Sequence, residues 1–121
     1  MTKLFLVVAA LLGGLSVAGG AFASHALKAQ LSDRALEIFE TGARYQMYHA
    51  LALLIVVLLL RQQPSPWLSA AGVAFIVGVV LFSGSLYGLS LSGVKVLGAI
   101  TPLGGVAFLV GWGCLAVAAI I

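Results

Sequence analysis

The side chains in this sequence that could do chemistry are few and lie close together. Both histidines, His25 and His49, all three carboxylates, Asp33, Glu37 and Glu40, and the cations Lys28, Arg34 and Arg44 fall between residues 25 and 49, interleaved with Tyr45, Gln46 and Tyr48. Imidazole and carboxylate together form a ligand set for zinc or iron, and a pair for moving protons. Their spacing supports neither use. There is no His-Glu-x-x-His and no repeated Glu-x-x-His, the patterns that put such ligands on one helix face. Cys114 is the single cysteine and sits in an apolar stretch, so it forms no intramolecular disulfide and reads as a small packing residue. Two further patterns fail on context. Gly111-Trp112-Gly113-Cys114-Leu115-Ala116 has the form of a dinucleotide-binding fingerprint but lacks a preceding strand and a later acidic residue. Gly14-Leu15-Ser16-Val17-Ala18 resembles a nucleophile elbow but lies inside an apolar run. No catalytic, cofactor-binding or metal-ligating residue is therefore assigned. What remains is a polar cluster, functional or interfacial, of His25, Glu37, Glu40, Arg44, Tyr45, Gln46, Tyr48 and His49.

Composition dictates what must position that cluster. Hydrophobic residues make up 63% of the chain and charged residues 7%, with a mean hydropathy of +1.23. A soluble domain of 121 residues would leave much of that apolar surface in water, whereas lipid accepts it. The net charge of +3 comes from scattered Lys and Arg, too few for a nucleic-acid footprint. It fits membrane orientation and headgroup contact instead.

The expected fold is all-α: one membrane domain over residues 1–121, a bundle of four transmembrane helices near 4–24, 33–61, 66–91 and 96–121. Leu4 to Ala23 carries no charge and, at ~1.5 Å per residue, spans about 30 Å of hydrocarbon. Lys3 and the Ala21-Phe22-Ala23 stretch also suit a signal peptide, but the apolar run exceeds the usual h-region of about 7–15 residues. Ser32 is the expected N-cap of the second helix, with Asp33, Glu37 and Glu40 placed where its dipole favours negative charge. The uncharged stretch from Ala50 to Leu60 is too short to cross alone, so this helix must recruit the Arg44 to His49 segment and run continuously from the surface into the bilayer. Pro64 and Pro66 end one helix and start the next. Thr101-Pro102 either kinks the fourth helix or begins its regular part. Small residues recur at fourfold spacing: Ala10, Gly14 and Ala18; Ala70, Ala74 and Gly78; Gly84, Gly88 and Ser92; Ala107 and Gly111. Such ladders let helices approach closely, within the bundle or between copies.

Between the first two crossings the pattern is amphipathic. At 100° per residue, Asp33, Glu37, Glu40, Thr41, Arg44 and Tyr48 share one stripe, opposite Ala35, Leu36, Phe39, Ala43, Met47 and Ala50. Glu40 and Arg44 have the spacing of an i,i+4 ion pair. Facing headgroups, the stripe is an anchor; facing the bundle, it is a costly buried network with a stronger claim to function. His49, the deepest ionisable group of the helix, needs a partner in either case. The loops after helices one and three hold Lys28, Arg34, Arg44 and Lys95, against Lys3 and Arg61 opposite, which by the positive-inside rule places both termini outside the cytoplasm. The third and fourth helices contain no Asp, Glu, Arg or His, which argues against an ion-coupled transporter.

Gly20-Ala21-Phe22, His25-Ala26-Leu27, Phe39-Glu40-Thr41 and the block Tyr45-Gln46-Met47-Tyr48-His49-Ala50-Leu51-Ala52, followed by Phe82-Ser83-Gly84-Ser85-Leu86-Tyr87 and Thr101-Pro102-Leu103-Gly104-Gly105, form a recognisable set. Through them the chain resembles the YgdD-type family of uncharacterised small inner-membrane proteins along almost its whole length. Ala23-Ser24 stands where that family is associated with a Gly-Ala pair. The resemblance implies a multi-pass protein of the bacterial plasma membrane type, with eukaryotic relatives, and no assigned reaction or ligand. The leading functional expectation is a non-enzymatic component that packs against lipids, against itself as a homo-oligomer, or within a larger membrane complex. A pore or carrier lined by Tyr45, His49 and the Glu37/Glu40/Arg44 stripe is the alternative, with a lipid-active enzyme third.

Overall fold

The computed structural model describes all residues from Met1 to Ile121 and contains four long α-helices and no strands. They are α1 (Thr2–Phe22), α2 (Asp33–Gln62), α3 (Pro66–Ser92) and α4 (Thr101–Ile120). A π-helical turn, Ala23–Leu27, extends α1, and a 3₁₀ turn, Lys95–Ala99, leads into α4. All four helices, with these extensions, are long and apolar enough to cross a membrane.

Their ends follow from local chemistry. Ser32 Oγ accepts the Ala35 N–H at 3.1 Å, capping α2 as its sequence suggests, with Asp33 in the first turn. Ser65 Oγ accepts the Leu68 N–H at 3.3 Å ahead of Pro66, whose fixed φ suits a first helical position. Gly93, at φ +73°, closes α3 in the left-handed region, its N–H donating to the Leu89 carbonyl at 2.8 Å. Pro102 resolves as a helix start, lying within the first turn of α4 rather than at a kink. The amphipathic stretch between the first two crossings is the leading part of α2 itself. At ~1.5 Å per residue α2 reaches about 45 Å, longer than the roughly 30 Å hydrocarbon layer, so its charged first turns stand clear of it.

The helices pack in chain order, α1 on α2, α2 on α3 and α3 on α4, leaving α2 and α3 central. Phe5, Leu53, Val56, Val57, Phe75, Val79 and Phe108 belong to the main core. A smaller cluster of Ala23, Leu27 and Phe39 closes the end near the π-helical turn. Outward faces are apolar, with Leu11, Leu15, Val17, Leu109 and Val110 exposed, as lipid contact requires. The ladders divide unevenly. Ala10, Gly14 and Ala18 lie on the outer face of α1, whereas Gly78 and Gly111 are buried. The close approaches inside the bundle are ring-on-glycine contacts instead: Phe5 lies over Gly72, Phe108 over Gly78 and Phe75 over Gly111. Gly104 is the least forgiving, because a β-carbon there would collide with the backbone of Phe82 rather than with a side chain.

Candidate functional site

Beyond its charged turns, α2 directs Gly42, Ala43, Gln46, His49 and Ala50 inward. Polar atoms carried inward by an apolar bundle must find partners there, because lipid offers none. Gln46 Nε2 donates to the Leu12 carbonyl of α1 at 2.7 Å, while its Oε1 accepts the Tyr87 hydroxyl of α3 at 2.6 Å. One side chain thus ties three helices. The Ser16 hydroxyl donates to the Ala43 carbonyl at 2.6 Å and the Ser83 hydroxyl to the Gly42 carbonyl at 2.7 Å. Between α3 and α4, the Ser85 and Thr101 hydroxyls lie 2.6 Å apart.

His49 completes this seam. It is 4% exposed, and its ring stacks on Phe108 with centroids 3.5 Å apart. Trp112 Nε1 donates to His49 Nε2 at 3.0 Å, and His49 Nδ1 lies 2.8 Å from the Tyr45 carbonyl. Indole N–H only donates and a carbonyl only accepts, so His49 carries its proton on Nδ1 and is neutral in this arrangement. An imidazolium would set a second N–H against that of Trp112. No buried side-chain nitrogen or oxygen is left without a partner.

The candidate residues from the sequence separate into distinct places. Gln46 and His49 enter the seam. Tyr45 sits at its edge, its ring against Phe82 at 4.8 Å and Tyr48 at 5.4 Å, and Tyr48 itself is half exposed. His25, Glu40 and Arg44 line a different feature, an open groove of about 570 Å³ between the end of α1 and the first half of α2. Glu37 belongs to neither. It forms the one ion pair of the protein, with Arg34 at 3.6 Å. The Glu40–Arg44 pair suggested by their spacing is not formed. At an exposed interface such a pair contributes only about 0.3–0.5 kcal/mol, too little to hold two flexible side chains together.

The seam members that sequence reasoning missed are Ser16, Ser83, Ser85, Tyr87, Thr101 and Trp112. The signal for them was indirect: a Gln and a His three residues apart at membrane depth require partners on neighbouring helices. Chemically, the seam is saturated. The Ser16 and Ser83 hydroxyls donate to main-chain carbonyls, and neither is hydrogen-bonded to His49. No three His, Cys, Asp or Glu side chains converge as metal ligands, because His25 lines the outer groove while His49 faces α3 and α4.

Four apolar spans closed around a hydrogen-bonded seam define a small multi-pass membrane bundle. Within that class the chain belongs to the family described as "Protein of unknown function (DUF423)", whose model matches residues 19–105. The matched region holds the groove's His25, Glu40 and Arg44 and most of the seam, but not Leu12, Ser16 or Trp112. The chain is 44% identical to the UPF0382 membrane protein YwdK of Bacillus subtilis over 98% of its length and 97% of the relative's. It is 45% identical to a UPF0382 membrane protein of Staphylococcus epidermidis over 96% and 94%, and 39% identical to the UPF0382 inner membrane protein YgdD of Escherichia coli K12 over 98% and 91%. No solved structure matches the chain.

Proposed function

We propose that this protein is a non-enzymatic component of the bacterial plasma membrane, a sealed helical bundle that acts by packing against lipids or membrane-protein partners. The observation that carries this reading is the saturation of the seam. A pore needs polar groups free to replace the hydration of a passing ion or solute, and here Gln46, His49, Tyr87, Ser16 and Ser83 bond to one another, to Trp112 or to the backbone. A proton carrier would need His49 to gain and lose a proton, and both of its nitrogens are occupied. Similarity to YgdD, named an inner membrane protein, supports the placement. The outward ladder of Ala10, Gly14 and Ala18 supports packing against a further helix.

The test is flux. Purified protein in liposomes is expected to pass protons, ions and small solutes no faster than protein-free vesicles, and His49→Ala to change nothing. Robust flux abolished by His49→Ala would instead establish a carrier. Self-association, or reproducible recovery with one larger assembly in mild detergent, would identify the partner.

A further inference from the structure

We propose that the groove between the end of α1 and the outer half of α2 binds the headgroup of a zwitterionic aminophospholipid, with Arg44, His25 and Ser24 on the phosphodiester and Glu40 on the ammonium. This deepens the lipid-packing reading and rests on it.

The first ground is contrast. Inside the bundle every polar side chain is partnered, yet around this groove Arg44, Glu40 and His25 make no hydrogen bond or ion pair within the chain. Depth is the second. Arg44 precedes Arg61 by seventeen residues of one continuous helix, about 26 Å at ~1.5 Å per residue, and Glu40 by about 32 Å. Measured from Lys3 along the first span, His25 stands at about 33 Å. With roughly 30 Å of hydrocarbon, all three lie where acyl chains give way to headgroups.

Shape and charge then narrow the ligand. The groove's volume falls within the roughly 300–1,000 Å³ usual for small-molecule sites. Its lining continues along Val17 and Met47 toward the bilayer interior, a path for an acyl chain. Ser24 and His25 sit on the one π-helical turn of the protein, a geometry that recurs at functional sites. A guanidinium fork matches two phosphate oxygens, and the hydroxyl and imidazole add donors. Glu40 is the selective element: it accepts from a primary ammonium and repels a headgroup that carries only negative charge.

The experiment uses the full-length protein in micelles, exposed to equal amounts of phosphatidylethanolamine and phosphatidylglycerol with matched acyl chains. Retained lipid is read by native mass spectrometry. Wild type is expected to favour the amine lipid by about fivefold or more, Glu40→Gln to erase or reverse that preference, and Arg44→Gln to lower retention of both about fivefold. Lys95→Gln, at the same membrane face but outside the groove, should match wild type. Equal retention by wild type, or an unchanged preference in Glu40→Gln, overturns the proposal. So does displacement of the lipid by soluble phosphoethanolamine, which would make the ligand a free phosphate ester. Circular dichroism confirms that the surface variants fold, and the flux assay stands apart, so loss of lipid selectivity does not mimic a leaking bundle.

Discussion

Within ten residues of α2, side chains of similar polarity take opposite roles. Gln46 and His49 turn inward and are saturated; Glu40 and Arg44 turn toward the α1 groove and keep their bonding capacity. The difference is helical phase rather than residue chemistry. A rotation of about 100° per residue decides whether a polar group holds helices together or meets what lies outside them. The seam should therefore register in stability, and the groove in ligand preference with stability untouched.

The largest expected effect comes from Gly104→Val, which forces α3 and α4 apart at the Phe82 backbone and destabilises by about 3 kcal/mol. Unfolding in micelles measures it. Because the groove lies on α1 and α2, lipid selectivity at temperatures below unfolding should survive, and its loss would show that the two regions are not separable. Next is Gln46→Leu, which strands the Tyr87 hydroxyl and costs about 1–2 kcal/mol. Adding Tyr87→Phe should recover part of that loss, since removing both partners costs less than removing one, and a double-mutant cycle reads the coupling. Trp112→Phe keeps an aromatic ring but frees His49 Nε2. We expect about 0.6–1 kcal/mol in the same unfolding assay, while nitrogen NMR should still show the Nδ1–H tautomer, because the Tyr45 carbonyl continues to accept that proton. Smallest are Glu40→Gln and Arg34→Ala, each within about 0.5 kcal/mol of wild type. A large destabilisation by Glu40→Gln would place that carboxylate in the fold's support and blur the comparison.

The architecture was legible because bilayer thickness and hydropathy act on each segment separately. Uncharged stretches between polar turns mark four spans, and Ser32 announces its cap without reference to the rest of the fold. What lies between helices was less visible. That His49 needs a partner follows from its depth, but that the partner is Trp112 depends on how α4 is rotated against α2. Fourfold spacing likewise does not say which way a ladder faces. The α1 ladder points to lipid, while Gly104, a member of none of these ladders, makes the closest backbone approach. Glu40 and Arg44 have ion-pair spacing, yet spacing alone cannot tell that a neighbouring helix end opens a groove beside them.

The π-helical turn at Ala23–Leu27 has a consequence for the chain's length. A wider turn holds one residue more than an α-helical turn would, so this stretch takes up an extra residue between the first span and the loop beyond it. Deleting a single residue there would return the segment to regular winding and leave the residues on either side near their present phase, because the wider turn is what absorbs the extra residue. One residue added to the regular part of α1 would do the opposite: unabsorbed, it would swing Leu27 by about 100° from its seat against Phe39 and carry the imidazole two residues before it off the groove.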